Sequence, residues 1–421
     1  MDADPTCAVV IAGGGPAGST AATMLRKLGH SVVLLEKTPH PRFHIGESLL
    51  PFTMPLLSKI DFMPTMEKAG FVPKWGSRFM LGDGRLANTF YFSDGMTAGG
   101  PGAYQVTRSR FDHLLLEHCR GFGTDVREGH VVKEVSVEAD RVVVAVQHAD
   151  GDLYSVTGKF FVDATGRDAF MATRLKLKKM DRVLKSVAVF AHFEGVRRDE
   201  GRDAGNTISV VIRGGWIWFI PLENGVTSIG VVAKADEVKA SQKSPETFFH
   251  ETLAHVPEIS DRLANARPIA QVHVTSDFSY SSRRLYGDRY VVLGDAGFFL
   301  DPVFSSGVHL AISAGVLGAE AIHKKLTRRS IVNPLRAYER NLRSSQALYF
   351  KFIHGWYEPG FLELFLSPTR KFQMLEAITS VLAGASRDWR VLLRMWVFFG
   401  LVRVNRIFPL APAINRAELP P

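Results

Sequence analysis

Cysteine is nearly missing from this chain: Cys7 and Cys119 are the only two in 421 residues. Two thiols far apart make neither a disulfide framework nor a Cys-rich metal cluster, and they fit a reducing cytoplasm. Long apolar runs are missing too. The most apolar late stretch, Val391 to Val404, is interrupted by Arg394 and Arg403, so it is too short and too charged to span a bilayer. It is expected to pack on the body of the protein, with peripheral membrane contact as the minor alternative. There is no long Lys/Arg run, only local pairs such as Arg283-Arg284 and Arg328-Arg329, and no nucleic-acid motif. Nucleic acid is therefore not an expected partner. Residues 1–6 are polar and lead straight into an apolar segment, so no signal peptide is expected. His40 and His44 are four apart, but Pro41 between them keeps the stretch from being helical, which argues against a metal site. No repeat and no low-complexity segment occurs.

What is present suits two or three lobes around a sizeable core, with 46% hydrophobic residues. The net charge of +9 steers the chain towards acidic partners. Near the start, Val9-Val10-Ile11-Ala12 runs into Gly13-Gly14-Gly15-Pro16-Ala17-Gly18 and an Ala-rich helical pattern to Leu28. A second apolar run, Ser31 to Leu35, is closed by Glu36. Such glycines let the backbone approach a pyrophosphate, and the helix start supplies free N–H groups. The acid about 20 residues on binds a ribose hydroxyl, so this is a dinucleotide site.

A similar turn recurs late. Tyr290 to Leu293 ends in Gly294-Asp295, and Asp301-Pro302-Val303-Phe304-Ser305-Ser306-Gly307 leads into a helix from Val308 to Lys325. Between them, Phe160 to Asp163 is an apolar strand closed by Ala164-Thr165-Gly166. Two strand–turn–helix sites so far apart point to one extended cofactor. The first takes the AMP half and the pyrophosphate, and the second, around Asp295, takes ribityl and flavin. That suits FAD in a glutathione-reductase-type fold. No second Gly-x-Gly-x-x-Gly marks a separate NAD(P)H lobe.

Strand patterns cover Val131 to Val137, Arg141 to Gln147 and Tyr154 to Thr157, with Asp150-Gly151 as a hairpin turn. A helix capped by Thr107 or Ser109 precedes them. Residues 185–275 alternate as strands of an antiparallel sheet, apart from a helical pattern over 244–264. From Asn333 to about residue 405 the pattern is helical. The fold expected is α/β. An FAD-binding Rossmann domain comprises 1–78, 104–180 and 276–328. An inserted antiparallel β-sheet substrate domain comprises 79–103 and 181–275, and a C-terminal helical region comprises 329–421. Trp216 and Trp218 are two apart on one strand and share a face, which by itself reads as core packing. Lys74, between Pro73 and Trp75, by residue type alone reads as a solvated lysine beside a surface aromatic.

Asp163-Ala164-Thr165-Gly166 and Gly294-Asp295-Ala296 resemble the flavin-dependent monooxygenase superfamily. Gly215-Trp216-Ile217-Trp218-Phe219-Ile220-Pro221 matches the Trp-x-Trp-x-Ile-Pro signature of flavin-dependent halogenases. Gly46-Glu47-Ser48 and Asp301 to Gly307 resemble the branch acting on phenols or pyrroles, often tethered to carrier proteins. The resemblance covers nearly the whole chain, and the longer insertions of the free-tryptophan halogenases are absent. It implies FAD held by Gly13, Gly15, Pro16, Ala17, Gly18, Glu36, Lys37, Arg42, Gly46, Glu47, Ser48, Arg110, Val132, Asp163, Asp295, Pro302 and Gly307. It implies chloride or bromide near Ser305, Ser306 and Gly307, and reduced FAD supplied by a separate flavin reductase. Lys74 then carries the halogen across a tunnel as the catalytic residue, while Trp216, Trp218 and Pro221 keep substrate from the flavin. A carrier-protein-bound substrate suits the basic surface. Residues 84–103, with Gly95, Gly99, Gly100 and Gly102, are short and glycine-rich, so no relative's substrate carries over. Two rivals share the FAD motifs: an aromatic hydroxylase, and a prenyl-lipid reductase with Phe350, Phe352, Trp356, Phe361 and Phe365 lining a lipid slot.

Overall fold

The computed structural model describes residues 7–97, 100, 102–181, 184–276, 279–327, 332–369 and 371–421. Gly99 and the pair Arg328-Arg329, singled out in the sequence, lie outside the described residues. The first strand, β1 (Cys7–Ala12), leads into α1 (Pro16–Lys27) and β2 (Val32–Glu36). Then come β3 (Val72–Lys74), β4 (Gly76–Leu81), β5 (Ala87–Tyr91) and β6 (Ala103–Gln105), followed by α2 (Arg108–Gly121). The chain continues through β7 (Asp125–Glu128), β8 (His130–Val137), β9 (Val142–His148) and β10 (Leu153–Asp163). What reads in the sequence as two strands, Tyr154 to Thr157 and Phe160 to Asp163, is this single β10. Gly158 lies inside it, paired with Cys7 of β1, where a Cβ would come within 2.9 Å of Val10 Cγ2.

One sheet runs β7-β2-β1-β10-β9-β8, and a strand at Tyr290–Val292 adds to β10. β7, β2, β1, β10 and Tyr290–Val292 are parallel, while β8 and β9 return antiparallel. Ala12 is paired with both Leu35 and Asp163, so these parallel strands end level. That shared carboxyl edge is where an open α/β sheet forms its ligand crevice.

The second sheet has β11 (Ser186–Glu194), β12 (Thr207–Ile212), β13 (Gly215–Pro221) and β14 (Thr227–Lys234) in the order β11-β14-β13-β12, continued by β4 and β5. It is not wholly antiparallel, as the sequence pattern suggested: β12 pairs with β4 in parallel, Thr207 opposite Ser77. These partners are far apart in sequence, so local patterning carries no signal of their direction. β4 begins at Gly76, so the expected domain boundary at 78 falls inside a strand of this sheet. Two helices, Pro245–Ala254 and Pro257–Leu263, replace the single helical stretch read over 244–264. Thr107 takes the N-cap position of α2 without a side-chain bond, and Ser109 lies inside the helix.

The last part is helical: α3 (Ser306–Leu326), α4 (Pro334–Trp356), α5 (Pro359–Leu366), α6 (Met374–Ala383) and α7 (Trp389–Asn405). Along β13 the side chains alternate. Trp216, Trp218 and Ile220 join a core that extends from β1 and α1 to α4 and α7, while Ile217 and Phe219 join a second core with Phe249 and Leu253. Phe352, Trp356, Phe361 and Phe365 are fully buried in one aromatic cluster with Phe79 and Phe304, so four of the five aromatics proposed as a lipid slot form solid core, while Phe350 is exposed.

Candidate active site

Small residues bring two helix starts together. A side chain at Gly315 of α3 would lie 2.7 Å from the Ala17 carbonyl oxygen and 2.9 Å from Thr20 Cβ of α1. Glycine therefore lets α1 and α3 cross closely. Gly15, Pro16 and Ala17 at the start of α1, and Ser305 and Gly307 at the start of α3, line one cavity of about 560 Å³. The turn into α1 is equally constrained. Gly13 has φ of 103°, and a Cβ on Gly18 would sit 1.9 Å from the Gly13 oxygen.

Most of the site residues expected from sequence line this cavity: Gly13, Gly15, Pro16, Ala17, Glu36, Lys37, Arg42, Gly46, Glu47, Ser48, Val132, Asp295, Pro302, Ser305, Gly307, Trp216 and Trp218. Gly18, Arg110, Asp163, Ser306, Pro221 and Lys74 do not. Gly18 acts through the close helix–turn contact. Asp163 spends its carboxylate inside the protein: Oδ1 accepts from the Thr165 N–H and hydroxyl, and Oδ2 from the Met171 N–H at 2.7 Å. It shapes the Thr165–Gly166 turn and has no oxygen aimed at a ligand. Ser306 is buried behind Ser305, and Pro221 ends β13 beyond the cavity.

Arg110 points outward, 48% exposed, near Glu223 and over the Phe71 ring. The arginine of α2 that lines the cavity is Arg108, which sequence reasoning missed. Its guanidinium grips Asp112 bidentately, with both bonds 2.8 Å long, and donates to the Ile45 carbonyl at 2.7 Å. Burial works against the charge on Arg108, but the Asp112 carboxylate overrides it and raises the guanidinium's pKa. The signal was available: Arg108 and Asp112 are i,i+4 partners flanking Phe111 on the inward face of α2.

Glu36 bonds the turn from below, its Oε2 accepting from the Gly14 N–H at 2.6 Å and its Oε1 from the Thr38 N–H at 3.0 Å. Arg42 lies 3.8 Å away, and Lys37 pairs with Asp168 across the cavity mouth. Asp295 is partly buried on the cavity wall, and its removal from solvent lifts its pKa to about 6. Glu47 is buried. Its Oε1 meets His192 Nε2 at 2.7 Å, while its Oε2 has no partner. Burial opposes charge on His192, yet the Glu47 carboxylate wins and raises the imidazole pKa. A cavity lined by a glycine turn, two helix starts, the acids Glu36 and Asp295 and a carboxylate with an orphaned buried oxygen fits a dinucleotide such as FAD.

Lys74 is 0% exposed, so the solvated reading fails; Trp75 beside it is the exposed one. Its Nζ donates to Ser48 Oγ at 2.8 Å and to the Leu49 carbonyl at 3.2 Å, and it lies 5.2 Å from the centre of the Phe92 ring. No carboxylate pairs with it among the described residues, so burial alone lowers its pKa to about 7. Ser48 reaches both ways, to the cavity wall and to the Lys74 amine. Trp216 and Trp218 form one wall, with ring centres 5.8 Å apart, and the Trp218 indole N–H donates to Ser228 Oγ at 3.1 Å.

The pattern of the tryptophan halogenase family matches residues 8–101 and 80–359. The flavin-dependent halogenase armH3 of Armillaria mellea is 38% identical over 339 residues, covering 75% of this chain and 66% of that protein. The chain thus spans slightly less than two thirds of that relative's length. A 1H-pyrrole-2-carbonyl-[peptidyl-carrier protein] chlorinase of Pseudomonas fluorescens is 29% identical over 378 residues, 84% of each chain. Among solved structures, the myxobacterial chondrochloren halogenase CndH superposes with a TM-score of 0.80 at 29% identity, covering 94% of this chain and 98% of that one. Cofactor crevice, paired tryptophans and buried lysine therefore sit within a recognised lineage: the chain belongs to the tryptophan halogenase family of flavin-dependent halogenases.

Proposed function

We propose that this protein is an FADH2-dependent halogenase that places chlorine or bromine on a phenolic or pyrrolic substrate. Reduction would come from a separate flavin reductase, and a carrier-protein-tethered substrate suits the net charge of +9. A reducing cytoplasm suits the two buried, unpaired cysteines. The observation that carries the reading is Lys74: a buried amine without a carboxylate partner, hydrogen-bonded to a residue of the cavity wall.

Bound FAD, reduced and exposed to O2, supplies the oxidising power that converts halide to hypohalous acid. The rest falls to the chain. The α1 turn and Glu36 hold the AMP half, and Asp295 holds the ribityl side. Backbone N–H groups at Ser305 and Gly307 hold the halide at the start of α3. Trp216 and Trp218 fill the space through which substrate would otherwise reach the flavin. With its pKa near 7, Lys74 has a sizeable neutral fraction at neutral pH. It delivers the halogen in one of two ways. The amine displaces water from hypohalous acid, forming N–halogen as O–halogen breaks; or the ammonium donates a hydrogen bond to the intact acid.

Lys74→Ala tests this. Halogenation of a phenol and pyrrole panel should fall at least about a thousandfold, while FAD titration is unchanged. Lys74→Arg separates the two routes: a guanidinium stays charged, so failure to rescue favours the N–halogen route and rescue favours hydrogen-bond donation. Retained halogenation in Lys74→Ala would overturn the role, and a hydroxylated product in place of a halogenated one would favour an aromatic hydroxylase.

A further inference from the structure

Helix α7 is apolar on two opposite faces. Val391, Met395, Phe398 and Val402 are buried against the body, as the sequence led us to expect. The other face is not covered. Trp389 and Trp396 are 72% and 77% exposed, Leu393 and Val404 are exposed beside them, and Ile407 and Phe408 prolong the stripe past the helix end. At 3.6 residues per turn, the four helical positions fall within an arc of about 80°, along a helix about 25 Å long. Arginines flank it: Arg390 and Arg394 on one side, Arg403 on the other. Arg390 pairs with Asp388 and Arg394 donates to Gln373, whereas Arg403 has no ion-pair partner among the described residues.

We propose that α7 seats the protein on the surface of an anionic phospholipid bilayer. The indoles and aliphatic side chains enter the acyl boundary, and the flanking arginines meet lipid phosphates. Charge complementarity selects this occupant: a basic chain presents an apolar ridge edged with arginine. Shape agrees, since a ridge with indoles so far exposed needs a partner that yields around it. No helix among the described residues is long and apolar enough to cross a membrane, so contact lies in the interfacial plane. The proposal takes up the minor of the two readings of this stretch in the sequence. It stands independently of the halogenase reading, because α7 contributes nothing to the cavity.

The test is co-sedimentation of the full chain with phosphatidylcholine vesicles carrying 0% or about 30% phosphatidylglycerol. The expected result is binding to anionic vesicles that weakens with salt, with a blue shift in tryptophan emission. Trp389→Ser/Trp396→Ser should lower partitioning about tenfold or more. Arg394→Gln/Arg403→Gln should remove the anionic preference while keeping the fold, checked by circular dichroism and FAD titration. Absence of binding to anionic vesicles, or equal binding by the tryptophan variant, overturns the proposal. So does a dimer in light scattering that dissociates in the tryptophan variant. Protection of Trp396 from a soluble quencher by an acidic carrier protein, with vesicles inert, would equally overturn it.

Discussion

Asp295 shows how a single side chain sets function against stability. Its carboxyl is partly buried, and desolvation raises its pKa from 3.8 to about 6. Between those values the folded protein binds more protons than the unfolded chain, so stability falls as pH rises through this window. Above pH 6 the full cost is present, on the order of 3 kcal/mol for a shift of this size. Asp295→Asn should therefore stabilise the apo protein at pH 7, with the gain shrinking towards zero near pH 4, as read by urea denaturation across pH. The same variant should bind FAD more weakly. An unchanged stability difference from pH 4 to 7 would show that the Asp295 carboxyl is not the source. Residue type and position were legible here, because Gly294-Asp295 closes an apolar strand. Lys74 was legible as a motif, and by residue type alone its environment was not. Only the packing of Ser48, Leu49 and Phe92 around it makes its amine dry. Arg110 and Arg108 show the limit: two residues apart on a helix, they point in different directions, and the motif alone did not say which faces inward.

At the scale of elements, the α1–α3 crossing matters most, because it aims two helix starts into one cavity. A Cβ at Gly315 would press on the α1 backbone. Gly315→Val should cost about 1–3 kcal/mol, the range for overpacking, and should also weaken FAD binding by prising the helix starts apart. Gly121→Ala is the control, since a Cβ there meets open space. Denaturation and flavin titration of both variants would check this, and equal behaviour would remove the crossing from the account. The individual elements were readable from sequence: strand, glycine turn, helix, strand and acid appear in order around Gly13, and β13 shows its period of two. The parallel pairing of β12 with β4 was not readable, because it joins residues about 130 apart, Ser77 and Thr207.

The whole molecule has less independence between its parts than the three-region division suggests. One core includes Val9 and Leu25 of the cofactor lobe, Trp216 of the second sheet, and Phe352 and Phe398 of the C-terminal helices. Unfolding followed by flavin release and by tryptophan emission should thus give coincident transitions. Separated midpoints would mean that the lobes are stabilised independently. The same packing converted the aromatics around Phe361 from a conceivable lipid slot into core, and left the far side of α7 uncovered.

The sequence by itself determined the cofactor class, the order of the elements and the lineage. These rest on local features: a glycine turn tolerates no other residue at its close contacts, and strand or helix periodicity is written in neighbouring positions. Tertiary structure decided which arginine enters the cavity, that Asp163 is consumed internally, that Lys74 is desolvated, and that α7 keeps one apolar face in water. Each of these depends on groups distant in the chain arriving at the same place. Burial, the physical quantity behind all four, is a property of that meeting and of no residue alone.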